Sequence, residues 1–330
     1  MPHDLRQSLG VLRVHNSCPG VVPALSFFRN APRLHTACII HWPAPAENLA
    51  LPWQQLRRVQ LYHLEVADML SVLKLCTQVD DIVLCQASQS DRDFDLALPS
   101  FSAKAKTLTL EIEASQHGVS VLEYLKMPAL ETLVLTGLDK DLDGSWAGKW
   151  TGMSVVGSFL RRSSCELTSF TLGLLPLTSS DVLTVLELMP KLAHLTLTEF
   201  HHPRVNRTVT PRLLMALVVE YPRVPPSSPS LLPHLTSLEF NVHCASLLVE
   251  VLDDICASRC IQDPTYTTLI GFTCLGSLMI RGIGLKSPSQ HSLQSRFDPF
   301  RAAGLRFTVE REALEPLDVE SDSETEEMVF

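Results

Sequence analysis

This sequence predicts an α/β solenoid with one curved parallel sheet and helices on the convex side. Three observations point there. A short apolar motif recurs nine times, proline often stands just before it, and segments with helical spacing lie between the copies. No single unit of this kind can bury its own apolar face, so neighbours must stack into one continuous core.

The motif is an apolar residue, two variable ones, an apolar one, one variable, and another apolar. Its copies are Leu34/Ala37/Ile39, Leu56/Val59/Leu61, Val79/Ile82/Leu84, Ala105/Leu108/Leu110 and Leu130/Leu133/Leu135. Leu167/Phe170/Leu172, Leu192/Leu195/Leu197, Leu235/Leu238/Phe240 and Leu275/Leu278/Ile280 complete the set. Successive first positions are 22, 23, 26, 25, 37, 25, 43 and 40 residues apart. The short intervals are those of a leucine-rich repeat, and the long ones are the same unit carrying insertions. The insertions are expected near 139–150, 201–210, 221–231 and 261–268. Pro222, Pro225, Pro226 and Pro229 make the third an extended excursion. Pro128, Pro190 and Pro233 precede copies of the motif, where each stops a helix and favours an extended approach to the next strand.

Helical spacing is clearest over Val66–Leu75, Val119–Leu125, Met153–Leu160, Asp181–Met189, Pro211–Val219 and Ala245–Ile255. Strands alternating with helices at this pitch call for parallel strands and crossover connections. Many leucine-rich repeats place Asn or Cys three residues past the last apolar position to hold the turn. Here those positions are Trp42, Leu64, Ala87, Glu113, Leu138, Leu175, Phe200, His243 and Ile283, so no asparagine ladder forms and irregular curvature is expected. The expected organisation is an N-terminal segment or cap at 1–30, the leucine-rich-repeat-like solenoid at 31–312, and an acidic disordered tail at 313–330.

Hydrophobic residues make up 45% of the 330, enough for a sizeable core. The strongest apolar stretch, Leu213–Val219, is too short to span a membrane, and no secretory leader is read at the amino terminus. Nine scattered cysteines read as buried thiols in a reducing compartment, so a cytoplasmic or nuclear location is expected. The Asn206 glycosylation triplet then reads as a chance match. The formal charge of −9 is mostly tail: residues 310–330 hold nine acids and one arginine. The remaining body is nearly neutral, which argues against a nucleic-acid surface.

The elements Ala31–Leu34, Leu51–Leu56, Phe159–Cys165 and Met189–Leu192 together resemble the repeat region of the F-box protein families of mushroom-forming fungi, over about residues 20–310. The resemblance implies substrate recognition for a Skp–cullin–F-box ubiquitin ligase. Residues 1–30 contain no tryptophan and are too short for an F-box, so the docking module is expected to be missing from this chain.

Chemical motifs are sparse. Gly282 and Gly284 begin a dinucleotide-type fingerprint that Ser287 breaks, and no nucleophile elbow occurs. Asp139, Asp141, Asp143 and Gly144 reproduce half of a calcium loop, but Trp150 stands where a closing Glu belongs. Cys256 and Cys260 share a helical face without zinc-site spacing, and His201-His202 reads as solvated surface. No catalytic set, metal site or cofactor is therefore expected.

Strand alternation places Arg58, Gln60, Asp81, Thr107, Thr109, Thr132, Ser169, Thr171, His194, Thr196, Ser237 and Glu239 on the concave face. These are the candidate partner-binding residues. Their Thr/Ser character also fits plain β-propensity on a half-exposed sheet. The expected function is a non-catalytic, monomeric protein-binding scaffold for a protein of unknown identity. The alternative is a ligase substrate receptor engaging the cullin-ligase adaptor, with an enzyme a distant third. In the tail, Ser321 and Ser323 each precede an acid by three residues and are candidate phosphorylation sites; a purely solubilising tail is the other reading.

Overall fold

All nine motif copies are strands of one parallel sheet. In the computed structural model the described residues are 9–15, 25–41, 49–86, 100–113, 119–138, 150–199, 208–219, 230–243, 249–261, 263, 271–283 and 287–312. The sheet strands are β1 (Val11–His15), β2 (Thr36–Ile40), β3 (Arg58–Leu64), β4 (Asp81–Gln86), β6 (Thr107–Ile112) and β8 (Thr132–Gly137). They continue with β9 (Ser169–Gly173), β10 (His194–Thr198), β11 (Ser237–His243), β12 (Ser277–Ile283) and β13 (Arg306–Glu312). Spatial order follows chain order, and all ten strand pairs are parallel. Two short strands, β5 (Phe101–Ser102) and β7 (Leu125–Lys126), pair separately.

The helices between the strands are α1 (Val66–Leu75), α2 (Val121–Tyr124), α3 (Met153–Ser163), α4 (Ser179–Leu186), α5 (Pro211–Leu217) and α6 (Val249–Arg259). The polar α7 (Ser287–Arg296) and α8 (Asp298–Ala302) follow β12. The sequence anticipates the first six. α2 is a single turn, because Leu125 and Lys126 leave the helix to pair with β5. Helix starts have local causes. Thr178 and Asp181 form a capping box at α4, and at α5 the Thr210 hydroxyl accepts from Leu213 N–H with Pro211 in the first turn.

The periodic positions are the core. Every first-position apolar residue of the motif, from Leu34 to Leu275, is buried, and so are both later ones. They join the helix residues in a single hydrophobic cluster from Leu12 to Val309. That is the stacked core the repeat demands, since each strand's inward side chains need the next unit's to cover them.

A backbone ladder repeats at the strand starts. The carbonyl of Gly10 accepts from both His35 and Thr36 N–H, His35 from Arg57 and Arg58, and Arg57 from Asp80 and Asp81. The same step recurs through Asp80, Lys106, Glu131, Thr168, Ala193 and Thr236. One carbonyl serves two backbone donors at each of these boundaries, and the Thr168 and Thr236 hydroxyls add a third at Glu131 and Ala193. Side chains hold other turns: the Gln55 amide donates to the carbonyls of Ala31 and Leu34 at 2.6 and 2.8 Å. Glu199, buried, accepts from Val209 N–H through Oε1 at 3.0 Å and from His243 N–H through Oε2 at 3.4 Å.

Two helix ends are held by the arginine and serine side chains of the next helix along. In α3, Arg162 donates to the carbonyls of Leu122 and Leu125, while the Ser163 hydroxyl accepts from Met127 N–H at 3.0 Å. In α6, Arg259 donates to Leu217, Leu231 and Leu232, and Ser258 accepts from Val219 N–H at 3.1 Å. These bonds add donors at the ends of α2 and α5, where a helix leaves its last carbonyls short of partners.

The thiol reading fits most of the described cysteines. Cys38, Cys76, Cys85 and Cys256 are buried, and Cys165, Cys260 and Cys274 are half-buried. Burial pushes the Cys76 thiol up to about 12. Only the thiolate reacts, so iodoacetamide at pH 8 is expected to label Cys76 only after denaturation. Labelling of Cys76 itself in the native chain within minutes, read by peptide mapping, would contradict its burial. The hydrogen bond that the Cys256 thiol donates to the Cys260 sulfur one turn later, together with burial, raises the Cys256 thiol.

The calcium half-motif at 139–144, His201-His202, Gly284, the proline-rich excursion at 222–229, the tail from 313 and Ser321 and Ser323 lie outside the described residues. Trp150 lies inside them and is a core residue at 2% exposure. Among the described residues no helix is long and apolar enough to cross a membrane.

Candidate functional site

The side of the sheet away from the core presents three aligned rows of side chains. The first contains Arg58, Asp81, Thr107, Thr132, Ser169, His194 and Ser237, which the pairing registers place opposite one another strand by strand. The second contains Gln60, Thr109, Thr171, Thr196 and Glu239, with Val83 and Val134 between them. All twelve candidate residues therefore lie on one face; Arg58 and His194 are exposed and the other ten half-buried.

Not all are equally available. Arg58 pairs with Asp81 at 3.2 Å, and Glu239 is held by Arg281 of β12, which also reaches Glu310 of β13 at 2.9 Å. Between these charged ends lies a neutral field: Thr107, Thr109, Thr132, Ser169, Thr171, Thr196 and Ser237. Short hydroxyl side chains lose little rotamer freedom on burial and can both donate and accept.

A third row, one alternation further along each strand, was not among the sequence candidates. It includes His15, Ile40, Tyr62, Cys85, Glu111, Thr136, Gly173, Thr198, Asn241 and Arg281. At its N-terminal end the face deepens into a pocket of about 730 Å³, lined by residues of β1 to β4 and β6 together with His41 and Leu138. Of the twelve sequence candidates only Gln60 lines it.

The chemistry of this pocket comes from turn and bulge residues. Strand β3 slips register against β4 between Tyr62 and Leu64, so His63 is the extra residue of a bulge. It takes a left-handed conformation, φ 55°, while Leu64 returns to the core. His41, just past β2, does the same at φ 50°. Their rings stack at 4.4 Å and 8°, with His15 6.0 Å from His41. The His63 Nδ1 stands 3.2 Å from a Glu113 carboxylate oxygen. His63, Cys85 and Glu113 bring their donor atoms within 4.8 Å of one another. Burial, then repulsion from His63 and His15, lowers the pKa of His41, against the pull of Glu113. Burial and the charge of Glu111 raise the Tyr62 phenol, which hydrogen-bonds that carboxylate.

The sequence reading missed this cluster because it searched for ligands close together along the chain. One signal was present. Strict alternation after Val59 and Leu61 would put His63 in the core, and the apolar residue comes one place later, at Leu64. That delay is what a bulge looks like in sequence.

No family model matches this chain, and no curated protein matches it.

Proposed function

We propose that this chain is a non-catalytic, leucine-rich-repeat-type scaffold that binds another protein through the open face of its sheet. The observation that supports this is the neutral hydroxyl field, seven Thr and Ser side chains in register across β6, β8, β9, β10 and β11. A surface that joins many strands gives a partner one continuous footprint. The resemblance to F-box repeat regions offers the second form of the same reading, a substrate receptor of a cullin ligase.

Affinity capture with the wild-type chain and with a Thr109→Arg/Thr171→Arg variant tests the proposal. The variant is expected to melt with the wild type, since both sites face outward, and to lose the captured partner. Recovery of a Skp-type adaptor by both chains would favour the ligase form. Identical partner sets from both chains, with no adaptor, would contradict binding through this face.

A further inference from the structure

We propose that His63, Cys85 and Glu113 form a binding site for one divalent transition-metal ion of the zinc type. The site rests on no assumption about the protein-binding face.

The geometry is favourable. Three neighbouring strands, β3, β4 and β6, each supply one donor at the same end of the sheet, with Glu113 one residue past β6. The 3.2 Å separation of His63 Nδ1 and the Glu113 oxygen is close to the edge of a tetrahedron whose metal bonds are about 2.0–2.1 Å. The Cys85 sulfur lies within 4.8 Å of both, so an approach of about 1 Å completes three corners. The fourth corner can be taken from the pocket by water or by a ligand donor, as in three-ligand zinc sites.

The donor set selects the ion. A neutral imidazole, a thiolate and a carboxylate carry two negative charges between them, which balance a divalent cation. Calcium and magnesium require oxygen shells, whereas nitrogen and sulfur donors suit zinc and its neighbours. Binding would displace the thiol proton. The same groups, ordered carboxylate–imidazole–thiol, could serve a nucleophilic cysteine. Cys85, however, is 0% exposed, where an attacking thiolate must be reached by its substrate.

A second observation points to the same place. Without the bulge, His63 would face the core and could not meet Glu113. A left-handed non-glycine residue is strained and persists where its surroundings over-determine it. Bulges that re-aim a side chain cluster beside functional sites. The stacked ring of His41 further restricts the His63 imidazole.

Zinc titration of the chelator-treated full-length chain against a chromophoric competitor tests the site. One equivalent is expected to bind with sub-micromolar affinity. Cobalt substitution is expected to show a thiolate charge-transfer band. Cys85→Ser should abolish the band, and Cys85→Ser and His63→Asn should each weaken zinc binding more than about tenfold, since losing even an outer-shell partner costs that much. Asn suits the variant because it tolerates the left-handed backbone, and unchanged circular dichroism will show that both variants fold. Failure to bind zinc, or binding undiminished in both folded variants, would overturn the site.

Discussion

Replacing Arg259 with alanine is expected to destabilise the chain by about 3 kcal/mol or more, the largest single effect anticipated. Arg259 is 2% exposed, and its guanidinium donates to three carbonyls, those of Leu217 at 2.6 Å, Leu231 at 2.8 Å and Leu232 at 2.9 Å. Leu217 ends α5, whereas Leu231 and Leu232 lie just before β11, with Leu232 in a left-handed conformation at φ 52°. One side chain therefore joins a helix end, the approach to β11 and the last turn of α6. Truncation leaves Leu232 with the N–H of Leu235 but takes the arginine donor from Leu217 and Leu231, and each orphaned buried group costs about 1–3 kcal/mol. Arg259→Lys should recover only part of the loss, because an ammonium lacks the planar fork that spans separated carbonyls. Urea unfolding of the three chains measures the effect. A loss below about 1 kcal/mol for alanine would mean that water replaces the arginine freely.

Gly137→Ala is the second large effect. Gly137 closes β8, and a Cβ built there would lie 1.9 Å from the carbonyl oxygen of Leu174. The obstacle is backbone, which cannot rotate aside as a side chain would. Leu174 is itself pinned, with φ 52° and its N–H donated to the Thr198 carbonyl at 3.0 Å. Overpacking of this kind costs about 3 kcal/mol at the upper end of its usual range. The melting temperature should fall by several degrees, while Gly271→Ala, where a Cβ meets nothing within 4 Å, should lose only what its φ of 71° imposes. Equal melting of Gly137→Ala and wild type would contradict the close approach of these two units.

The parallel α/β architecture was legible because it is written in side chains that each unit must bury. Leu238 and Phe240 are fully buried where the motif puts them, and α1 begins and ends at Val66 and Leu75 as its spacing indicates. The strands at the two ends were harder. In β13 the first motif position is Gly304, at φ 102°, and Phe307 is only half-buried, because an edge strand has one neighbour rather than two. In β1, Leu9, Leu12 and Val14 do satisfy the motif, but they lie in the segment read as a cap. Helix α7, with Leu293 buried amid Ser, Gln, His and Arg, offers no apolar period to read.

For the candidate sites the division has a physical cause. Alternation along a strand is local, so the outward positions at Thr109 and Thr171 followed directly from the sequence. The His63, Cys85 and Glu113 cluster is assembled by neighbours in the sheet, separated by 22 and 28 residues in the chain, and one member depends on a bulge. Arg259 and Glu199 belong to the same class. Each is a charged residue whose burial is decided by backbone groups dozens of residues away or across a turn.

The central claim is that recognition belongs to the open face of the sheet and not to the helices. The most direct measurement is the affinity of a purified partner for three chains: wild type, Thr171→Arg on the face, and Met215→Arg on α5, where the methionine is 64% exposed. The account predicts that Thr171→Arg weakens binding more than about tenfold, or about 1.4 kcal/mol, and that Met215→Arg leaves it unchanged. The reverse pattern, with Met215→Arg losing the partner and Thr171→Arg retaining it, would contradict the account.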